Sequence, residues 1–385
     1  MTASSPVFDF GTGRVIFGPG RAAELGSLIG DWGSRALVCT GSRPDAHREL
    51  RATLPMPSHV FTVSGEPTVQ MAEAAVAAAR ACGADLVVAL GGGSVLDMGK
   101  TVAMLVGNGG DPLDYLEVIG AGRPITKPSV PFIAIPTTAG TGAEVTENAV
   151  LASPEHGRKA SVRARSMLPA LALVDPLLTI DCPPAVTASS GLDALTQCLE
   201  PLVSRNRTPI TDALAADGLA QAAAGLRAAY ADGSDVAART AMARCSLLGG
   251  MSLANAKLGA VHGFAGVIGG LVPVAHGAIC AALLAPVTAA NVQALRDRDP
   301  ANPALAAYRR AAVLLTGDPK ATAADGVEWI AETVRLLGIR GLAAGGLDPA
   351  LVDDIVVRTG SSSSTKGNPI QLTGEELHRA LVAAL

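Results

Sequence analysis

The first half of the chain alternates short apolar runs with stretches of helical period. Arg35–Thr40, His59–Val63, Asp85–Leu90, Pro131–Ile135 and Leu171–Val174 read as strands bounded by turn residues. Between them, Val69–Cys82 and roughly Val95–Val106 carry helical spacing. Strands that alternate with helices predict a parallel sheet with crossover connections. Between Asn148 and Val162, two apolar runs flank Pro154-Glu155-His156-Gly157, which predicts a β-hairpin. After Pro183-Pro184 the pattern turns helical, with Ala-rich segments near 185–203, 209–230, 235–257, 276–293, 303–316, 321–337 and 373–385. The expected fold class is an α/β N-terminal domain over 1–182, a parallel sheet with helices plus a β-hairpin, followed by an all-α domain over 183–385.

A length of 385 residues exceeds what one core usually covers, which agrees with two domains. Hydrophobic residues make up 49% but aromatics only 3%, so the apolar content is Ala, Val and Leu, suited to closely packed helices. A net charge of −4 without a basic block excludes nucleic acid as a main partner. Gly, Pro or charge interrupts each apolar run before it reaches the length of a membrane span, so no membrane role is expected. Met1–Phe10 has neither Lys nor Arg nor the apolar core of a secretory signal. Six scattered cysteines without a CxxC pair read as free thiols in a reducing, cytoplasmic setting. Cys198 adjoins Gln197 but points about 100° away on a helix, so it reads as structural.

Two polar turns suggest a bound nucleotide. Gly91-Gly92-Gly93-Ser94 follows a strand and opens a helix, where backbone N–H groups meet phosphate oxygens. It is not a GxGxxG fingerprint, because Leu96 takes the third glycine position. Pro136-Thr137-Thr138-Ala139-Gly140-Thr141-Gly142 also follows a strand and offers hydroxyls to a ribose or pyrophosphate. The plain alternative is a Thr-rich loop capping its own backbone. Two such loops after successive strands favour a crevice at the carboxyl edge of a parallel sheet. Farther on, Asp193 and Gln197 share a helix face at i and i+4, and His262 and His276 stand 14 residues apart.

These segments together resemble the iron-containing (group III) alcohol dehydrogenases. The likeness runs through Gly91-Gly92-Gly93-Ser94-x-x-Asp97-x-x-Lys100, the Thr-rich loop, Asp193-Ala194-Leu195-Thr196-Gln197, Val261-His262-Gly263 and Ala275-His276-Gly277, and spans nearly the whole chain. It implies a nucleotide-binding α/β domain, an all-helical metal and substrate domain, and a homodimer. The implied activity is NAD(P)-dependent interconversion of a small alcohol and its aldehyde or ketone, at a metal-assisted site between the domains. The resemblance assigns the pyrophosphate to Gly92, Gly93 and Ser94. It sets Asp97 near the nicotinamide-side ribose, lines the cleft with Thr137, Thr138, Thr141, Thr146 and Leu178, and brings Lys159 to a ribose. The plain alternative for Lys159 is a solvated charge on the hairpin.

Gly41 stands where NAD-preferring relatives tend to carry Asp. Without that carboxylate a 2′-phosphate is not repelled, and Ser42 and Arg43 can bond it, so NADP(H) is expected alongside NAD. The metal set implied is Asp193, Gln197, His262 and His276, with an amide in place of one imidazole. Three arrangements are compatible with Gln197: ligation through its amide oxygen, a three-ligand site with water, or a metal-free hydrogen-bonded cluster. Fe2+ and Zn2+ both suit the donors that remain, though an amide binds transition metals less tightly than an imidazole. Two further departures are Gly266, where many relatives have a proton-relaying His, and Ala143, where Ser is common. The rival readings are a maleylacetate-reductase-like or metal-independent reductase of the same fold, and a non-catalytic nucleotide-binding relative.

Overall fold

The computed structural model describes residues 8–11 and 13–385. Residues 1–7 and Thr12 lie outside the described set, and with them most of the stretch expected to carry no signal. The chain forms two compact units: one of Gly11–Thr138 with Gly142–Ile180, the other containing Ala139–Thr141 and Asp181–Leu385.

The first unit is built on a six-stranded sheet. Its strands are β1 (Arg14–Phe17), β2 (Ala36–Thr40), β3 (Ser58–Thr62), β4 (Leu86–Gly91), β5 (Phe132–Pro136) and β8 (Leu171–Val174), in the order β1-β8-β5-β4-β2-β3. Every pairing is parallel. β6 (Asn148–Ser153) and β7 (Arg158–Arg163) form the expected antiparallel hairpin, with Asn148 opposite Arg163. Two helices of this unit exceed two turns, α1 (Val69–Cys82) and α2 (Gly93–Asn108). The strands are apolar throughout because both sheet faces are covered. Leu37, Cys39, Val87 and Ala89 face one apolar layer, and Ala36, Val38, Leu86 and Val88 face the other. The alternation is the two-residue period of the pleat.

The edge strand β1 was not expected. It has only four residues, opens on Arg14 and buries Ile16 alone, so it lacks the apolar run that marks the inner strands. The Thr68 hydroxyl caps α1 by accepting the Met71 N–H at 3.1 Å. Gly83 ends that helix at φ 68°, in the left-handed region that glycine tolerates.

The second unit is helical. Counting helices of nine residues or more, it holds α3 (Pro184–Val203), α4 (Pro209–Ala231), α5 (Val236–Ala256), α6 (Ala260–Ile268), α7 (His276–Arg298), α8 (Ala304–Thr316), α9 (Ala323–Leu336), α10 (Val352–Gly360) and α11 (Gly374–Val382). Small residues bring α3, α4 and α5 close together: a Cβ at Gly218 would collide with Cys198 Sγ. Cys198 is buried there with its sulfur 3.8 Å from that of Cys245, the structural role expected of it. All six cysteines are free thiols.

Helices α6 and α10 were not anticipated. In α6, Gly263 and Gly266 weaken intrinsic propensity, and the helix is held by partners distant in sequence. α7 is long and apolar enough to cross a membrane by length and composition, although 67% of that window is buried inside the fold, as in a core helix.

Candidate functional site

A buried polar cluster in the helical unit comes from three helices. Asp193 and Gln197 project from one face of α3, His262 from α6, and His276 from the first position of α7. Gly277 allows the approach of α7 to α3, because a Cβ there would collide with the Ser189 carbonyl oxygen. Gly263 does the same for α6, where a Cβ would run into Thr365. His262 Nε2 lies 3.4 Å and His276 Nε2 4.0 Å from Asp193 Oδ1. The two rings stand 5.5 Å apart, centroid to centroid.

Glu200, a residue not singled out from the sequence, organises the cluster. It lies seven residues after Asp193, on the same face of α3. Its Oε1 accepts the Val261 N–H at 2.8 Å and its Oε2 meets His262 Nδ1 at 2.7 Å. Asn368 Oδ1 accepts the neighbouring Ala260 N–H at 3.1 Å. These two side chains satisfy the first N–H groups of α6, which Gly259 leaves uncapped. Gly259 is small of necessity, since a Cβ would press on both Glu200 Oε1 and Asn368 Oδ1. A carboxylate only accepts, so the Nδ1 of His262 carries the proton and its Nε2 is turned toward Asp193.

The chemistry of the set fits a divalent cation. Asp193 Oδ1, Gln197 Oε1 and His262 Nε2 are buried without a hydrogen-bond partner. Such orphaned polar atoms cost stability unless something compensates them. Burial works against charge on Asp193, but His262 and His276 outweigh it and hold its carboxyl below the usual range. Burial likewise opposes charge on His262, but Cys280, Glu200 and Asp193 raise its pKa well above the ordinary imidazole value. The cluster draws positive charge, which a proton or a cation can supply.

Gln197 is drawn into this set, with its Nε2 donating to Asp193 Oδ2 at 3.3 Å. Among the described residues, a group of Asp193, His262, His276 and Cys280 has donor atoms all within 4.8 Å of one another. Cys280 was read from the sequence only as a scattered thiol. Its i+4 spacing from His276 on α7 was the available signal.

Glu200→Gln tests the buttress. A glutamine can accept from Val261 or from His262 but not both, and its amide favours the wrong imidazole tautomer. The expected result is a loss of roughly 10- to 100-fold in Zn2+ affinity by chelator competition, with the helical content unchanged. Unaltered affinity would remove Glu200 from the site.

In the sheet unit, β2 is followed by β3 on one side and β4 on the other, so the winding direction reverses there. Gly41 and Ser42 follow β2, and Gly92, Gly93 and Ser94 follow β4, at the carboxyl edge on either side of this reversal. Such a switch point is where open parallel sheets take up ligands. Gly92 is extended at the start of α2, and no side chain caps the first N–H groups there. A Cβ at Gly92 would press on the Thr138 side chain at 3.2 Å. Thr137 and Thr138 follow β5 at the same edge, whereas Thr141 belongs to the helical unit.

Other expected cofactor residues have structural partners. Asp97 Oδ2 accepts the Val150 N–H at 3.0 Å. The Thr146 hydroxyl accepts from Lys100 Nζ at 2.8 Å. Lys159 is paired with Glu66 at 3.1 Å and only 10% of its side chain is exposed, so it is not a solvated charge. Leu178 packs against the apolar layer on the sheet that includes Leu173. Ala143 is buried in an apolar layer.

A doubly wound parallel-sheet unit and an all-helical unit bearing a cation-seeking cluster define a two-part class of chain. Residues 12–176 match the family described as iron-containing alcohol dehydrogenase, and residues 187–385 match the C-terminal region of the Fe-containing alcohol dehydrogenase family. The chain belongs to the iron-containing alcohol dehydrogenase family. It is 35% identical over 317 residues to a probable alcohol dehydrogenase, EutG, of Salmonella typhimurium, covering 80% of this chain and 77% of that one. It is 44% identical over 227 residues to long-chain-alcohol dehydrogenase 1 of Geobacillus thermodenitrificans, a match spanning 59% of this chain and 57% of that protein. A crystal structure of 1,3-propanediol oxidoreductase superposes with a TM-score of 0.89 at 30% identity, covering 98% of this chain and 100% of that one. Sulfoacetaldehyde reductase from Bifidobacterium kashiwanohense, solved with NAD+, superposes with a TM-score of 0.86 at 27% identity, covering 98% of each chain.

Proposed function

We propose that the chain is an NAD(P)-dependent oxidoreductase that interconverts a small alcohol and its aldehyde or ketone with the help of a divalent cation, Fe2+ or Zn2+. The observation that carries this reading is the convergence of Asp193 Oδ1 and His262 Nε2, both buried and unpartnered, with His276 Nε2. A cation held there supplies Lewis-acid stabilisation of developing oxyanion charge, and a nicotinamide supplies or takes up the hydride.

The protein's own part is binding and orientation. Asp193 supplies one negative charge to the cation, and Glu200 holds His262 in the ligating tautomer. The uncapped N–H groups of Gly93 and Ser94 at the start of α2 would receive the pyrophosphate, and the helix N-terminus favours its charge. Thr137 and Thr138 offer hydroxyls at the same edge. Gly41, not a carboxylate, directly follows β2, so a 2′-phosphate can be met by Ser42 and Arg43 and NADP(H) is accepted beside NAD(H). Gly266 is exposed, and a Cβ there would meet nothing within 4 Å, so protons exchange through water.

The test is oxidation of NADH and NADPH with a panel of small aldehydes, before and after complete metal removal. Turnover that vanishes with the metal and returns with Zn2+ or Fe2+ is expected. Full turnover without metal would replace this reading by a metal-independent reductase. Cofactor binding without turnover on any aldehyde would favour a non-catalytic relative.

A further inference from the structure

The metal set read from the sequence has an amide, Gln197, where an imidazole is expected. The structure places a better donor nearby. Cys280 lies one turn after His276 on α7, is fully buried, and its Sγ sits 3.6 Å from His276 Nε2. Its sulfur is within 4.8 Å of the donor atoms of Asp193, His262 and His276. We propose that Cys280 is the fourth ligand of this centre, giving an Asp193, His262, His276, Cys280 set that favours Zn2+, with Gln197 as a positioning residue for Asp193. The proposal rests on the metal-dependent reading above and deepens it.

The distances support the assignment. Bonds of zinc to N, O and S in a tetrahedron place neighbouring donors about 3.3–3.6 Å apart. Asp193 Oδ1 and His262 Nε2 lie at 3.4 Å, and His276 Nε2 and Cys280 Sγ at 3.6 Å. His276 Nε2 and Asp193 Oδ1, at 4.0 Å, need only a small closure.

Gln197 is engaged differently. Its Nε2 faces the carboxylate of Asp193 at 3.3 Å, and the opposite amide orientation would set two oxygens against each other. This hydrogen bond holds Oδ2 and leaves Oδ1 turned toward the imidazoles. A thiolate is also the softer and stronger donor for zinc, whereas a neutral amide is weak. Ligation forms an S–Zn bond and releases the thiol proton to solvent.

Cobalt reports a thiolate ligand directly, because Co2+ occupies zinc sites and a sulfur ligand adds an intense near-ultraviolet charge-transfer band. The full-length chain is stripped of metal, titrated with Co2+, and compared with Cys280→Ala and Cys280→Ser. The expected result is one Co2+ per chain with the thiolate band in the unaltered protein. Both variants should lose the band and bind about 10-fold more weakly or worse.

One Co2+ per chain without the band, or a band that persists in both variants, would overturn the role of Cys280 and leave the metal-dependent reading standing. Failure of the unaltered chain to bind Co2+ stoichiometrically would overturn that reading, and the proposal with it. The spectrum of the unaltered protein decides the matter even if a variant does not fold. Gln197→Ala adds the positioning test: the band should stay while Co2+ affinity falls. Loss of the band would make Gln197 part of the thiolate's own support instead.

Discussion

His262→Ala is expected to reduce kcat/KM by about 1,000-fold or more, equivalent to about 4 kcal/mol of lost transition-state stabilisation. The side chain joins two carboxylates, with Asp193 Oδ1 3.4 Å from Nε2 and Glu200 Oε2 2.7 Å from Nδ1. Its removal takes one donor from the cation and leaves Glu200 buried without its partner. Truncating one member of a buried charged pair destabilises by about 3–5 kcal/mol. The variant should therefore lose metal, activity and resistance to urea together. Metal analysis, aldehyde reduction and urea unfolding read the three separately. A variant that keeps stoichiometric metal and more than a tenth of the activity would remove His262 from the proposed centre.

Lys100→Ala should be the most damaging single change in the sheet unit. Lys100 is completely buried on α2. Its Nζ donates to Thr146 Oγ1 at 2.8 Å and to the Asn148 carbonyl at 2.9 Å, tying the hairpin to the helix. Glu144 is buried nearby. Burial lowers the Lys100 pKa from 10.5 to about 8, and raises that of Glu144 from 4.5 to about 7. Removing the lysine takes away its ion pair with Asp97 at 3.9 Å and the positive charge near Glu144, and opens a cavity, for an expected loss of about 3–5 kcal/mol.

The same pair imposes a pH dependence of definite sign. For Glu144 the folded chain holds the proton more tightly, so the cost of burying the charge is absent below 4.5 and complete above about 7. For Lys100 the folded chain holds it less tightly, so the cost is complete below about 8 and gone above 10.5. Stability from this pair therefore falls as pH rises from 4.5 to 7 and recovers from 8 to 10.5. Glu144→Gln removes the first limb, and should gain about 3 kcal/mol on the unaltered chain across it. Urea midpoints at pH 5 and pH 7.5 measure the difference. Parallel curves would exclude Glu144 as its source.

The elements legible in the sequence were those whose signal is local. The inner strands β2, β4, β5 and β8 are continuous apolar runs because both faces of a parallel sheet are covered. Leu171–Val174 and Val69–Cys82 have the observed bounds. The missed elements owe their form to distant partners. β1 is a strand because β8 lies beside it, and α6 is a helix because Glu200 and Asn368 satisfy its first N–H groups. The site divides in the same way. Asp193, Gln197, His262 and His276 were recognised as a set and do converge. Glu200 and Cys280 were overlooked although each shares a helix face with a recognised residue. Spacing says which side chains share a face, and only packing says what that face meets.

Gly277 carries a consequence for cation choice. At this glycine α7 rests against a carbonyl of α3, so main chain rather than flexible side chains sets the separation of His276 and Cys280 from Asp193. In the proposed centre this close approach would resist widening for an ion the size of Ca2+, whose bonds run about 2.3–2.6 Å. In the proposed centre, discrimination by ionic radius would rest in part on Gly277, whose side chain offers no ligand atom.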